Sequence, residues 1–217
     1  MLVGDRMSKP VITIHPETSM KDALELMERE HVHRLPVVDK KGKLVGIISE
    51  RELYKEYPSE ATTLSVWELN YLLKEITIEK LMTRDVTTVT EDTPLEEAAR
   101  IMVDKDFSGI PVVRDDKVVG MITETDLFKI FLEMLGARNP GVRLTVLMPE
   151  TPGALMKVTE AIFKIGGNIE AVGTFLGDST ANREITIKVE DVEMKALREA
   201  VIPYVEKILD IREMLMV

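Results

Sequence analysis

"RLPVVDKKGKLVGIISEREL" (Arg34–Leu53) and "GIPVVRDDKVVGMITETDL" (Gly109–Leu127) are two versions of one pattern. Each holds a proline-valine run, a charged turn and a second apolar run built around a glycine, Gly46 or Gly120. β-branched runs divided by charged turn residues predict a hairpin. Each copy closes on a hydroxyl residue followed three places later by a carboxylate: Ser49 with Glu52, Thr123 with Asp126. That spacing is a capping box, sufficient by itself to start a helix, although Thr123 and Asp126 form a weaker version of it.

The repeat extends outward from these hairpins. The copies align from Met7 and Met82, 75 residues apart, and Pro10–Val38 matches Asp85–Val113 without a gap. One residue is lost in the turn, where "DKKGK" becomes "RDDK". Each copy predicts a short strand, helix, strand, turn, strand and helix. In "TPLEEAARIMV", Thr93 is expected to cap the first helix, Pro94 to occupy its first position and Glu96 to complete a capping box. Ala98, Ala99 and Met102 fall on one helical face. Met27 and Met102 occupy matching positions and read as core. A unit this small buries too little apolar surface to be very stable alone, so the copies are expected to pack face to face. Between them Pro58 and Ser59 break the chain. Trp67, Leu69, Leu72, Leu73 and Ile76 then predict an amphipathic helix, an ordered connector.

After "GARNPG" (Gly136–Gly141) the period changes. "VRLTVLM" predicts a strand, "GALMKVTEAIFKI" a helix, and "GGNI" a turn into "EAVGTFLG". "STANR" is a hairpin tip before the strand "EITIKVE". "EMKALREAV" predicts a helix and "ILDIREMLMV" a final strand. The order β-α-β-β-α-β is the split βαβ, ferredoxin-like arrangement. The expected division is repeat 1 over 1–56, a helical connector over 57–79, repeat 2 over 80–136 and a separate domain over 141–217.

Bulk composition excludes several functions. The chain has 217 residues, 45% hydrophobic and 30% charged, as globular proteins do. No apolar run reaches the ~18 residues that span a bilayer, so no membrane association is expected. The start "MLVGDRMSKP" lacks a signal-peptide core, which predicts a cytoplasmic protein. The absence of cysteine excludes disulfides, zinc-thiolate sites and cysteine nucleophiles. A net charge of −10 and the lack of a recognition-helix motif argue against nucleic acid as a partner. There is no GxGxxG, P-loop or histidine-based metal motif, so no catalytic residue, catalytic cofactor or metal is expected. His31 and His33 could share a strand face, but no third ligand stands nearby.

The two copies resemble the CBS domain, and the pair resembles a Bateman module. The carriers are "LPVVD…GKLVGIISEREL" and "IPVV…DKVVGMITETDL", with the family's proline-valine strand and its closing G-h-h-[ST]-x-x-[DE], where h is apolar. The last third resembles an ACT domain on "MPETPGALMKV" and "GGNI". With the connector "SVWELNYLLKEITIEKLM", the whole resembles the acetoin-utilisation B family. The implied fold is α/β: two CBS repeats paired as a Bateman module, followed by a ferredoxin-like βαββαβ ACT domain.

The resemblance implies an adenosine-containing ligand such as AMP, ADP, ATP or S-adenosylmethionine. The closing carboxylate accepts from both ribose hydroxyls and the serine or threonine sits near the phosphate. A carboxylate suits a vicinal diol because it offers lone pairs to two donors. The cap and ligand readings are compatible, since a helix N-terminus presents free N–H groups to a phosphate. On this implication Thr123 and Asp126 hold the ribose, with Thr87 and Met82 near the base. Phe107, Ser108, Gly109, Ile110 and Pro111 complete that pocket. Ser49 and Glu52 form the first copy's equivalent. Because Glu52 is one methylene longer than the family's aspartate, ligands are expected to prefer the second copy. In "VHRLPVV", His33 and Arg34 match residues that reach phosphates in the neighbouring CBS unit in the regulatory gamma subunit of AMP-activated kinase. A guanidinium fork suits a phosphate; the alternative for Arg34 is a surface ion pair.

The ACT resemblance implies an amino acid held by Gly153, Ala154, Leu155, Asn168 and Ile169 at a subunit interface. The alternative is that "PGAL" starts a helix and Asn168 makes a turn. Together these features imply a non-enzymatic regulator, a homodimer, acting on an unidentified protein. The alternative is a dimerisation scaffold with degenerate pockets.

Overall fold

A computed structural model describes residues 1–57 and 65–215. Pro58 and Ser59, the expected chain breakers, lie outside the described residues. The chain forms two compact units, Met1–Leu127 and Phe128–Val217.

The first unit opens with the one-turn helix α1 (Val3–Arg6) and the helix α2 (Met20–Glu30). The hairpin β1 (Arg34–Val38) and β2 (Leu44–Ser49) follows, then α3 (Glu50–Glu56). The connector supplies α4 (Val66–Glu75) and α5 (Ile78–Leu81). The second copy repeats the pattern with α6 (Leu95–Lys105), β3 (Gly109–Arg114) and β4 (Lys117–Thr123). Helix α7 (Glu124–Met134) runs across the boundary between the units.

Both hairpins are antiparallel and in the same register. Arg34 pairs with Ser49, and Gly109 with Thr123; each hairpin carries one bulge, after Val37 or Val112. The predicted capping boxes form. Ser49 N donates to Glu52 Oε2 at 2.8 Å while Glu52 N donates to Ser49 Oγ at 3.3 Å. Thr123 N donates to Asp126 Oδ2 at 3.0 Å and Asp126 N to Thr123 Oγ1 at 3.3 Å. Two local expectations fail. Thr93 does not cap α6: its hydroxyl accepts from Thr90 N, and Pro94 stands at the N-cap. Pro94 instead bridges to Leu2, whereas its counterpart Ser19 does cap α2. Trp67 does not join the core either, being 87% exposed, while Leu73 on the same helix is buried.

The copies exchange their leading segments. Val3 N donates to Thr93 O and Gly4 N to Glu91 O, both at 2.9 Å, and Ser8 bridges to Met121. In return Met20 N donates to Ile76 O at 2.8 Å and Ile78 N to Thr18 O at 2.9 Å, and Thr83 bridges to Ile47. The first copy's core therefore includes Leu73, Ile78 and Met82 beside Met20, Met27, Leu35 and Ile48. The glycines of the opening pattern make this possible. An added Cβ at Gly46 would sit 2.5 Å from Met82 Sδ, and one at Gly120 would meet Met7.

The second unit holds β5 (Gly141–Pro149), α8 (Ala154–Lys164), β6 (Asn168–Leu176) and β7 (Asn182–Glu190). Helix α9 (Met194–Val201), a 3-10 turn (Ile202–Tyr204) and β8 (Lys207–Met214) complete it. The sheet order is β6-β7-β5-β8, all antiparallel, which is the predicted ferredoxin-like βαββαβ topology. Val142, Leu144, Val146, Ile185, Ile187 and Val189 alternate along β5 and β7 and form a core with Val158 and Ile162 of α8 and Leu197 and Val201 of α9. On the strands' other positions Thr145 and Thr186 pair hydroxyls at 2.9 Å, and buried Lys188 donates to Gly136 O and Asn139 O.

Candidate functional site

The capping carboxylates have a second oxygen each, and the exchange of segments decides where it goes. Thr83 Oγ1 donates to Glu52 Oε1 at 3.0 Å. Ser8 Oγ donates to Asp126 Oδ1 at 3.3 Å. In both copies one carboxylate oxygen starts a helix and the other reaches a hydroxyl on the segment arriving from the other copy.

Around Glu52 lies a cleft lined by Arg34 and Ile47 of the first copy and by Thr83, Asp85, Val86, Thr87, Phe107, Gly109 and Pro111 of the second. It encloses about 80 Å³, room for a few ordered waters. Arg34 Nε donates to Ser108 Oγ across the cleft at 2.9 Å, and Lys105 Nζ donates to Thr87 Oγ1 at 2.9 Å.

Thr87, Phe107, Gly109 and Pro111 are thus gathered as the sequence suggested, with Arg34 and Ser108 beside them. The carboxylate on their wall belongs to Glu52, however, and Asp126 with Thr123 faces Ser8 instead. Met82 is no part of this wall, because it fills the first copy's core against Gly46. Ile110 is fully buried, so its side chain faces away from the cleft. His33 does not accompany Arg34. Its Nδ1 meets Glu50 Oε2 at 2.7 Å, and it lines another hollow with His31, Tyr54 and Tyr57. His33 lies in the bend just before β1 begins at Arg34, and its ring turns to Glu50. Among the described residues no group of three or more His, Asp or Glu side chains is placed to hold a metal.

Sequence reasoning missed Thr83, Asp85, Val86, Ile47 and Lys105. A signal for Thr83 was present: its counterpart Ser8 is also a hydroxyl, at the same place in the aligned leading segment.

In the second unit Gly153 takes the left-handed conformation at φ 83° and caps α8. A Cβ there would meet nothing within 4 Å. Ala154 and Ile169 pack against the core, so they support the fold. Leu155 is exposed, and Asn168 Nδ2 donates to Glu190 Oε2 at 3.3 Å.

A pair of interlocked hairpin-helix copies, with a Ser/Thr-x-x-carboxylate closing each, defines a CBS pair, or Bateman module. The CBS domain family matches residues 3–59 and 75–133, and this chain belongs to it. The L-aspartate semialdehyde sulfurtransferase of Methanocaldococcus jannaschii is 37% identical over 131 residues, 60% of this chain and 23% of that protein. A CBS domain-containing protein of Dictyostelium discoideum is 31% identical over 136 residues, 62% of this chain and 94% of that protein. The chain thus spans under a quarter of the first of these relatives.

Among solved structures, the CBS pair of protein MJ0100 in complex with 5′-methylthioadenosine and S-adenosyl-L-methionine is 35% identical, with a TM-score of 0.51. The match covers 64% of this chain and 98% of that one. A protein assigned to acetoin utilization (AcuB) from Vibrio cholerae is 31% identical at a TM-score of 0.53, over 63% of this chain and 93% of that one. CBSX2 of Arabidopsis thaliana, in complex with AMP, is 30% identical at a TM-score of 0.52, over 61% of this chain and 97% of that one. No helix among the described residues is long and apolar enough to cross a membrane.

Proposed function

We propose that the chain is a non-enzymatic regulatory protein whose CBS pair binds an adenosine-containing ligand in the cleft between the copies. The observation that carries this reading is the Glu52 carboxylate on the cleft wall, with its Oε1 turned to the other copy. Its Oε2 is committed to the helix cap, while Oε1 accepts a hydrogen bond from the Thr83 hydroxyl on the cleft wall. A ribose diol offers the same kind of donor. Ser49 and the start of α3 stand where a 5′ substituent would follow. Phe107, Pro111 and Ile47 offer an apolar wall for the base, with Thr87 at its edge. The solved CBS pairs with methylthioadenosine, S-adenosylmethionine and AMP bound support the ligand class.

A ligand regulates only if it binds two conformations unequally. The cleft has two bonds whose rearrangement would do this: Glu52–Thr83 and Arg34–Ser108 both join one copy to the other. Entry of a nucleoside into so small a cleft must part them, which would shift one copy against the other. The ferredoxin-like unit resembles an ACT domain and is read as a second effector module, with Gly153, Leu155 and Asn168 at its amino-acid site. Homodimerisation fits the apolar side chains that α7 exposes, Phe128, Phe131 and Met134.

The test is calorimetry of the purified protein with adenosine, AMP, ADP, ATP and S-adenosylmethionine, with chromatography of each mixture afterwards. Binding of at least one without turnover is the expected result. Turnover would make the chain an enzyme. No binding across the panel would leave the scaffold reading in its place.

A further inference from the structure

We propose that the first copy carries a second ligand site, for a small organic ammonium ion, in the hollow between α2, α3 and α4. The hollow shares no lining residue with the Glu52 cleft.

It encloses about 570 Å³, a volume usual for a small-molecule site and far larger than that of the cleft. Three helix faces build it. On α2, Lys21, Glu25 and Glu28 follow one another at i, i+4 and i+7; on α3, Glu50 and Tyr54 stand at i and i+4; on α4, Asn70 and Leu73 stand at i and i+3. Buried Met27 and Leu73, with half-buried Leu24, make an apolar floor. The Tyr54 and Tyr57 rings, their centroids 6.1 Å apart and their planes tilted by 56°, form an aromatic corner.

Three carboxylates and one ammonium group stand around this floor. Lys21 pairs with Glu25 at 3.5 Å, and the His33 ring meets Glu50 at 2.7 Å. The Glu28 carboxylate has no ion-pair partner among the described residues. The repeat does not demand this lining. The counterparts of Glu28, Tyr54 and Tyr57 are Val103, Phe128 and Phe131, which carry neither carboxylate nor hydroxyl. The first copy thus places polar and anionic groups where the repeat also accepts hydrocarbon.

An anion would meet these carboxylates in a protein of net charge −10. A bare metal ion would lack ligands, since among the described residues no group of three His, Asp or Glu side chains is placed to hold one. An organic ammonium ion suits every surface: its hydrocarbon lies on the apolar floor, its charge meets Glu28, and the negative faces of aromatic rings attract it. Because Asn70 and Leu73 belong to the connector helix, the occupant touches the connector and the first copy together.

The experiment follows NMR signals of the full chain during titration with butylammonium and tetramethylammonium, and with butanol and tert-butanol, uncharged counterparts of similar shape. At least one ammonium ion should shift the signals of Tyr54, Tyr57, His33 and Asn70 saturably and bind about threefold to fivefold more tightly than its alcohol. Tyr54→Leu and Glu28→Gln should each weaken that ion by about threefold to fivefold, whereas Tyr54→Phe, which keeps the ring, should stay within about twofold. Tyr54 and Glu28 are exposed, so these variants keep the fold. Equal affinity for an ammonium ion and its alcohol would overturn the proposal and leave an apolar hollow without charge selectivity. So would the absence of shifts at these residues with either ion, affinity unchanged in both Glu28→Gln and Tyr54→Leu, or an equal loss in Tyr54→Phe and Tyr54→Leu.

Discussion

Thr83 Oγ1 lies 3.0 Å from Glu52 Oε1, joining the leading segment of the second copy to the last helix of the first. Ser8 and Asp126 make the reciprocal contact. Under the proposed function, the hydroxyl therefore competes for the carboxylate oxygen assigned to a ribose. Thr83→Val removes that competitor without removing volume. Adenosine should bind about threefold to tenfold more tightly to this variant, the worth of one modest hydrogen bond. Weaker binding would mean that Thr83 holds the ligand and does not compete with it.

The cap and the site share Glu52 and can be separated through Ser49. Ser49→Ala leaves the Glu52 carboxylate but removes the acceptor for Glu52 N. It should cost about 1 kcal/mol of stability, as loss of an N-cap does. Adenosine affinity should stay within about threefold, since the proposed function assigns Ser49 to the phosphate end, which adenosine lacks. A hundredfold loss of adenosine affinity would show that the cap sets the carboxylate's position.

Met82 tests the exchange of segments. It belongs to the second copy by alignment and to the first copy's core by packing. Met82→Ala should cost about 2–5 kcal/mol, as removal of a buried methionine does. Hydrogen exchange should accelerate in α2, β1 and β2 more than in β3 and β4. Acceleration confined to the second hairpin would contradict the packing described.

Gly46 and Gly120 leave no room for a methyl group. Their added Cβ atoms would meet Met82 and Met7, and Thr83 O and Ser8 O stand at 3.1 and 3.2 Å. Because backbone is among the obstacles, Gly46→Ala and Gly120→Ala should each destabilise the first unit by about 1–3 kcal/mol. Thermal unfolding monitored by circular dichroism should register a drop of several degrees in each variant. Unchanged melting would mean that the methionines simply swing aside.

Much of this architecture was legible in the residues. The hairpins followed from β-branched runs and their turns. The capping boxes followed from Ser49-x-x-Glu52 and Thr123-x-x-Asp126, and the βαββαβ order from the change of period after Gly141. The partner of each leading segment was not legible. Two similar copies offer the same surfaces to "RMSKP" and "LMTRD", so local pattern cannot say whether Met82 packs on its own hairpin or on the other. Assigning it by alignment put the walls of the cleft around Asp126 when they surround Glu52. Trp67 illustrates another limit: helical spacing marks an apolar stripe, but its edge residue can still face solvent. His33 and Arg34 are adjacent in sequence, but His33 lies in the bend before β1 and Arg34 opens the strand, and they line different hollows.

The most direct test of the central claim is a crystal structure of the protein soaked or grown with adenosine. The account predicts ligand density in the cleft bounded by Phe107, Pro111 and Ile47. Both ribose hydroxyls should lie within hydrogen-bond distance of the Glu52 carboxylate, with Thr83 Oγ1 displaced from Oε1. Density at Asp126 and Ser8 alone, or in the hollow beside His31 and Tyr54, with Glu52 still bonded to Thr83, would contradict it.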